Sequence, residues 1–447
     1  MTKTGIVHIV YGGGKGVLEL TQEAAKGGTS EAGDQFGHAL AVYDADLDGC
    51  SDLAIGSPYE DNGTVVDVGR VLVVYGSATG LGAGKATANY HQGAAPLTGA
   101  TSEPQDLMGY SLAAGKSSTG VPFLAVGVPG EDRGAAIDAG SVIYFSGATT
   151  VTSAGIDQDD AKAGEVPDTA ESYDRFGTSL AATPTHLAVG APGESEGTLA
   201  DAGSVTIFSH TLVSGVPKPL SVITQNTPNV GNASQAGDGF ATSLAAVPHR
   251  EAGATSTTES LLVVGIPGED LGTITDAGAV QVFRLDAAGA YTQTGWIDQN
   301  STNVLSVSEP GDHFGQRVAA VNTAVNDVST PTETRMAIGV PGEDGSNGVA
   351  DRGQVQIMPL IGSPGTSDVL IAPGAGMPLD EPRMYVGLSI AAGPAGFYVG
   401  APYGSAAARA VYLYPHNVTS SGAPTQTFKP GEGSIPADAV TFGTAVR

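Results

Sequence analysis

One cysteine, Cys50, and one tryptophan, Trp296, are all that 447 residues hold of either kind. A lone thiol rules out any intrachain disulfide. Positive charge is scarce as well, with 19 Lys and Arg against 46 Asp and Glu, which leaves a net charge of −27. Nucleic acid and anionic membranes both reward clustered Lys and Arg, so neither is expected as a partner, and a cationic or metal partner fits better. No apolar run approaches membrane-spanning length, so no membrane insertion is expected. The opening MTKTGIVHIVYGGG is a strand followed by glycines, with neither the apolar core nor the cleavage site of a signal peptide.

What the chain has in abundance is turns. Its 65 Gly and 27 Pro sit beside a 41% hydrophobic content, a balance that gives many turns without low complexity or disorder. The stretch from Phe176 to Phe208 sets the pattern: three short apolar runs, SLAA, HLAVGAP and GSVTIF, separated by Gly-, Pro- and Asp-rich segments of the kind that bound β-strands. A fourth run follows, ending in Gln, as in SVITQN and TGWIDQN. The repeating unit therefore reads as an antiparallel four-stranded sheet.

The opening dipeptide of the unit, or its equivalent, recurs at Phe36, Met108, Phe176, Phe240, Phe314, Val386 and Phe442, a step of about 68 residues. That period suits a propeller blade better than any helical repeat. Second strands read DLAIGSP, FLAVGVP, HLAVGAP, LVVGIP, MAIGVP and YVGAP, each ending in a Gly-x-Pro turn. Six complete units run from Phe36 to beyond Tyr414, the sixth being the most divergent. GIVHIVYG at the N-terminus matches a third strand and VLELTQ a fourth, while TFGTAV at the C-terminus matches a first. The expectation is an all-β, seven-bladed β-propeller of four-stranded antiparallel blades, one domain over residues 1–447. Its last blade would be a composite of both termini, lacking a second strand, which suggests an excerpt of a longer protein.

Together, the FG dipeptide, the Gly-x-Pro turn and the GxVxV strand resemble the FG-GAP repeat family, the propeller of integrin α-subunit heads and of many bacterial surface proteins. WD40 repeats are disfavoured because they carry a Trp-Asp pair in most blades. The resemblance implies a monomeric domain within a larger protein, at the cell surface or outside the cell, that holds a protein or glycan ligand. It also admits an accessory propeller beside a hydrolase domain of phospholipase or esterase type.

Between the first two strands of the first full unit lies Asp44-Ala-Asp46-Leu-Asp48-Gly49-Cys50-Ser-Asp52. Carboxylates at the first, third and fifth places converge on one point, Gly49 allows the sharp turn, and Cys50 at the seventh offers its backbone carbonyl. An EF-hand places a Glu at the twelfth position, where this chain has Ile55, so Asp52 at the ninth is expected to complete the shell. This hard, oxygen-only set predicts Ca²⁺. The matching segments of the other units lack the acidic spacing, so one calcium loop per chain is expected.

A second acidic set recurs between strands two and three: Glu60-Asp61 with Asp67, Glu131-Asp132 with Asp138, Glu194 with Asp201, Glu269-Asp270 with Asp276, and Glu343-Asp344 with Asp351. Two readings apply. Either these are Asx turns and solvated loop acids, or they present a face to a basic or cation-bridged partner. Enzyme signatures dissolve on inspection. Gly193-Glu-Ser195-Glu-Gly197 fits G-x-S-x-G, but a nucleophile elbow requires a strand-to-helix turn. Gly115-Lys116-Ser117 has no correctly spaced glycine upstream and no helix after it. No catalytic residue is predicted. His38, His186 and His313 read as packing or surface residues, and the N-x-S/T triplets at Asn232, Asn300 and Asn417 as chance-level matches.

Overall fold

The computed structural model describes residues 4–158, 168–345, 348–437 and 441–447. Among the described residues, every regular element is a strand apart from two single-turn 3₁₀ segments. The strands fall into six antiparallel sheets of at least four strands, plus one hairpin. Blade one comprises Leu40–Tyr43, Asp52–Ser57, Arg70–Val74 and Ala88–Tyr90. Blade two comprises Leu112–Lys116, Pro122–Val128, Ser141–Ser146 and Thr152–Ile156. Blade three comprises Ser179–Ala182, His186–Ala191, Ser204–Val213 and Val216–Ile223. Blade four holds Ser243–His249, Glu259–Ile266, Ala279–Leu285 and Tyr291–Ile297. Blade five holds Arg317–Asn322, Thr334–Val340, Gln354–Pro359 and Val369–Pro373, with Gly376–Met377 added in parallel. Blade six holds Ser389–Gly393, Gly396–Ala401, Ala410–Tyr414 and Gln426–Phe428.

The blade count corrects the expectation of seven. Among the described residues Val7–Val10 pairs only with Val17–Leu20, and the C-terminal TFGTAV forms no strand. The reason is local: without a second strand, a first strand has no ladder partner between itself and the third. The terminal dipeptide nonetheless docks as its predecessors do. A Cβ on Gly400 would stand 2.3 Å from the carbonyl oxygen of Gly443, just as one on Gly56 would stand 2.1 Å from that of Gly109. At Gly56, Gly127, Gly265, Gly339 and Gly400 the Gly of the Gly-x-Pro turn is therefore required by close backbone approach, not by turn geometry.

By compactness the chain divides into two units, Met1–Glu194 with Val205–Val222, and Ser195–Ser204 with Ile223–Arg447. In the first, the hairpin and blade one enclose Val7, Leu20, Phe36, Ile55 and Leu72. Blades one and two share a core around Met108, Leu124 and Val126, and blades two and three one around Phe123, Phe176 and Val189. In the second, blades four and five pack through Phe314, Met336 and Ile338, and five and six through Val386, Phe397 and Tyr412. Second strands are buried on both faces, which explains why they read as continuous apolar runs, whereas the fourth strands are partly exposed and polar. Phe36, Phe176 and Phe314 are thus plugs between neighbouring sheets, each worth about 1.5–3 kcal/mol by burial alone.

Candidate metal centre

The blade-one hairpin from Tyr43 to Asp52 is held open by backbone geometry and closed by one carboxylate. Leu47 and Gly49 both adopt left-handed φ, 64° and 88°, which turns the loop back on itself twice within three residues. Asp52 is 1% exposed, and its two oxygens accept the backbone amides of Ala45 and Gly76, each at 2.7 Å. Burial pushes its carboxyl above the usual range, against the pull of those two amides.

Asp44, Asp46 and Asp48 project from this frame with carboxylate oxygens all within 4.8 Å of one another. Ligands at about 2.3–2.6 Å from a common Ca²⁺ lie at most about that far apart. Oδ1 of Asp44 and Oδ1 of Asp46 are buried and make no well-formed hydrogen bond. Their Oδ2 atoms meet ammonium groups, Asp44 that of Lys116 at 2.9 Å and Asp46 that of Lys85 at 3.2 Å. Lys116 is the main cause that holds the Asp44 carboxyl below its ordinary range. Lys85 also lies 3.8 Å from the centroid of the Tyr75 ring. Asp48 is exposed and accepts the amide of Cys50 at 2.7 Å. The Cys50 thiol is pushed upward, by desolvation first and then by Asp48, so it stays protonated and offers no thiolate. Of the predicted residues, the loop therefore gathers Asp44, Asp46 and Asp48. Cys50 contributes backbone, and Asp52 stands outside the group as its anchor. Two buried oxygens without a well-formed hydrogen bond, beside a third carboxylate, suit a hard cation.

The second acidic set proves to be architecture. The second acid of the pair accepts the amide of the third: Asp61 from Asp67, Asp132 from Asp138, Asp270 from Asp276 and Asp344 from Asp351, at 2.8–2.9 Å. Asp67, Asp138, Asp201, Asp276 and Asp351 all take left-handed φ, from 50° to 54°. These are side-chain-closed turns. The Glu of each set turns inward to the Gln that ends the previous unit's fourth run. Gln22 donates to Glu60, Gln92 to Glu131, Gln158 to Glu194, Gln225 to Glu269 and Gln299 to Glu343, at 2.5–2.7 Å.

A third acidic position was missed in the sequence although its signal is there, an Asp two residues before five of the seven FG equivalents. Asp34, Asp106, Asp174, Asp238 and Asp312 are no more than 3% exposed. Each accepts the amide of the residue three before it. Burial, helped by neighbouring acids, pushes Asp106 up to about 8 and Asp238 and Asp312 to about 7, while Glu131 rises to about 7 for the same leading reason. Each of these blade junctions thus buries a carboxyl pair that prefers to keep a proton.

The enzyme-like motifs find ordinary places. Gly193-to-Gly197 is a turn between two strands, and Lys116 ends a strand and pairs with Asp44. His38 packs 4.8 Å from Tyr110, His313 Nδ1 lies 3.1 Å from the Pro267 carbonyl oxygen, and Asn232 donates to Glu269 at 2.6 Å.

A family model described as FG-GAP repeat matches residues 36–74, the first three strands of blade one with the aspartate loop between them. The same order of FG equivalent, hairpin, Gly-x-Pro turn and third strand recurs in the other blades, with the GxV pattern kept in blades two to five. Blade one matches the FG-GAP repeat, and with the propeller arrangement of the blades this supports an FG-GAP β-propeller. Two curated proteins resemble part of this FG-GAP chain. Phosphatidylinositol-glycan-specific phospholipase D of Mus musculus is 41% identical over 80 residues, 17% of this chain and 9% of that protein. Its counterpart in Rattus norvegicus is 42% identical over 82 residues, 17% of this chain and 10% of that protein. The chain thus spans about a tenth of the length of these relatives. Among solved structures, Saccharomyces cerevisiae Sqt1 aligns over 89% of this chain and 76% of its own, at 11% identity and a TM-score of 0.46.

Proposed function

We propose that this FG-GAP chain is a non-catalytic, calcium-binding recognition module that presents its loops to a protein or glycan outside the cell. The observation that carries the metal part is the pair of buried oxygens on Asp44 and Asp46, without a well-formed hydrogen bond, beside Asp48. When bound, Ca²⁺ supplies charge and a fixed coordination centre. The chain's part is to hold Asp44, Asp46 and Asp48 together, to offer the Cys50 carbonyl, and to keep the hairpin anchored through Asp52. The recognition part leans on the family and on rigid blades joined by many polar loops. Calorimetric titration with calcium chloride tests the metal reading. Asp46→Ala with Asp48→Ala is expected to remove one equivalent of binding, and unchanged stoichiometry would sink it. A glycan array probed with and without chelator tests the partner class.

A second reading, an accessory module within a larger hydrolase, is favoured by the stretch shared with phosphatidylinositol-glycan-specific phospholipase D. It predicts that the chain alone releases nothing from a glycosylphosphatidylinositol-anchored protein, but that fusing it beside a phospholipase domain raises that domain's activity on the anchored protein. No effect of the fusion would count against it.

A further inference from the structure

We propose that the groove between blades four and five binds a small amphiphilic organic acid, its carboxylate on Arg250 and Arg284 and its apolar body on Leu261, Val328 and Ile361. A cavity of about 410 Å³ opens there, within the roughly 300–1,000 Å³ typical of small-molecule sites. Register explains its lining. Leu261 pairs with Arg284 and Arg284 with Thr292, which sets these three side chains on one face of blade four. His249 shares that face, two residues on from the Val247 that pairs with Leu261. Val247 and Leu261 also belong to the core shared with blade five, against which Ile361 packs, so the apolar floor of the cavity is continuous with that core.

Two loops wall the cavity. The connections between first and second strands are longest in these two blades, 250–258 and 323–333, and they are bonded to each other. The Arg250 amide donates to Ser329 Oγ at 3.1 Å, the Ser329 amide to the Arg250 carbonyl at 2.9 Å, and Asn322 Nδ2 to the Pro248 carbonyl at 2.8 Å. Arg250 donates through Nε to the Ala254 carbonyl at 3.0 Å and through Nη1 to that of Asn326 at 2.5 Å, which fixes its guanidinium plane and leaves Nη2 uncommitted. Arg284 donates to Glu251 at 2.6 Å. The lining therefore sets two guanidiniums against one carboxylate, a locally positive spot on a chain of net charge −27. His249 is 7% exposed, with Nδ1 lacking a well-formed hydrogen bond and Nε2 3.8 Å from Glu259, which stands outside the lining. Burial first, then Arg284, holds its imidazole below the ordinary range, so it lines the cavity as a neutral hydrogen-bonding ring. Preset guanidinium donors over an apolar floor match a carboxylate carried on a short apolar body.

Hexanoate, benzoate, hexanol and acetate are the probes, each titrated alone into the intact chain in chelator and followed by NMR, so that no outcome bears on the metal reading. Hexanoate or benzoate is expected to bind saturably, one per chain. Hexanol, which lacks the charge, and acetate, which lacks the body, are expected to bind at least about tenfold more weakly. Arg284→Gln is expected to weaken the bound acid roughly tenfold. Val328→Trp, which fills the cavity from a 38% exposed position and removes no side-chain hydrogen bond, is expected to abolish binding at an unchanged Tm. The proposal is overturned if neither acid saturates below roughly 10 mM, if hexanol binds as well as hexanoate, or if binding survives Val328→Trp. Should either variant melt lower than the parent, shift mapping on the wild type decides: shifts centred on the Thr292 and Ser329 amides support the site, and shifts centred elsewhere refute it.

Discussion

Gln92 Nε2 donates to Glu131 Oε2 at 2.7 Å across the junction of blades one and two, and both groups are largely removed from water. The bond joins the last residues of one sheet to the second-strand turn of the next. Its repetition at four further junctions makes it the fastener of the repeat. Replacing Gln92 with Leu strips Glu131 of its donor while leaving it buried, so destabilisation of about 1–3 kcal/mol is expected. Urea unfolding of Gln92→Leu against wild type measures it, and a change within error would show that Glu131 finds another partner at no cost.

The buried carboxyl pairs fix how stability depends on pH. Asp106 titrates near 8 when folded, and Glu131, Asp238 and Asp312 near 7, against the usual 3.8–4.5. The folded state therefore binds these protons more tightly than the unfolded chain does. Their stabilisation is fully present below about pH 4 and is lost as pH rises through about 7 to 8. Chemical unfolding is expected to show greater stability at pH 5.5 than at pH 8.5, and Asp106→Asn is expected to flatten the slope. A chain more stable at pH 8.5 would contradict the assignment.

Asp52 is predicted to matter for the hairpin even without metal. Asp52→Ala leaves the Ala45 and Gly76 amides without their acceptor, a cost of about 1–3 kcal/mol for each one that water does not reach. Thermal melts in chelator test this, since a fall in Tm there is independent of any ion. Asp48→Ala, which removes an exposed acid, is expected to leave the chelated Tm nearly unchanged.

Gly56 tolerates no side chain. A Cβ there would lie 2.1 Å from the Gly109 carbonyl oxygen, so Gly56→Ala must push two blades apart. A loss above about 3 kcal/mol, or failure to fold, is expected. Gly63→Ala, where nothing lies within 4 Å, serves as the control and is expected to pay only for its left-handed φ of 67°.

The repeat was legible because each sheet restates the same local rules: a two-face-buried second strand, a Gly-x-Pro turn, and an FG plug. The aspartate loop was legible for the same reason, as alternate acids with one glycine announce themselves. Asp52 was harder. Its spacing matches a ligand, but whether a carboxylate faces an ion or two amides depends on Gly76, a residue on another strand. The Glu of each PGE turn read as loop solvent because its partner Gln belongs to the preceding unit, and nothing within one period reveals a bond across the junction. The seventh blade failed on pairing: first-strand residues at Thr441–Val446 carry the right letters but have no second strand to bond.

Lys85 and Lys116 reach the blade-one loop from two different places in the chain, one beyond the third strand of the same blade and one on blade two. Their ammonium groups pair with Asp46 and Asp44 and so quiet the repulsion within the loop. A cation that settles there must displace or share those ammonium groups, and any lysine it releases swings outward as fresh positive charge on a strongly acidic surface. Occupancy of one small hairpin would then be announced on its exterior as a local redistribution of charge.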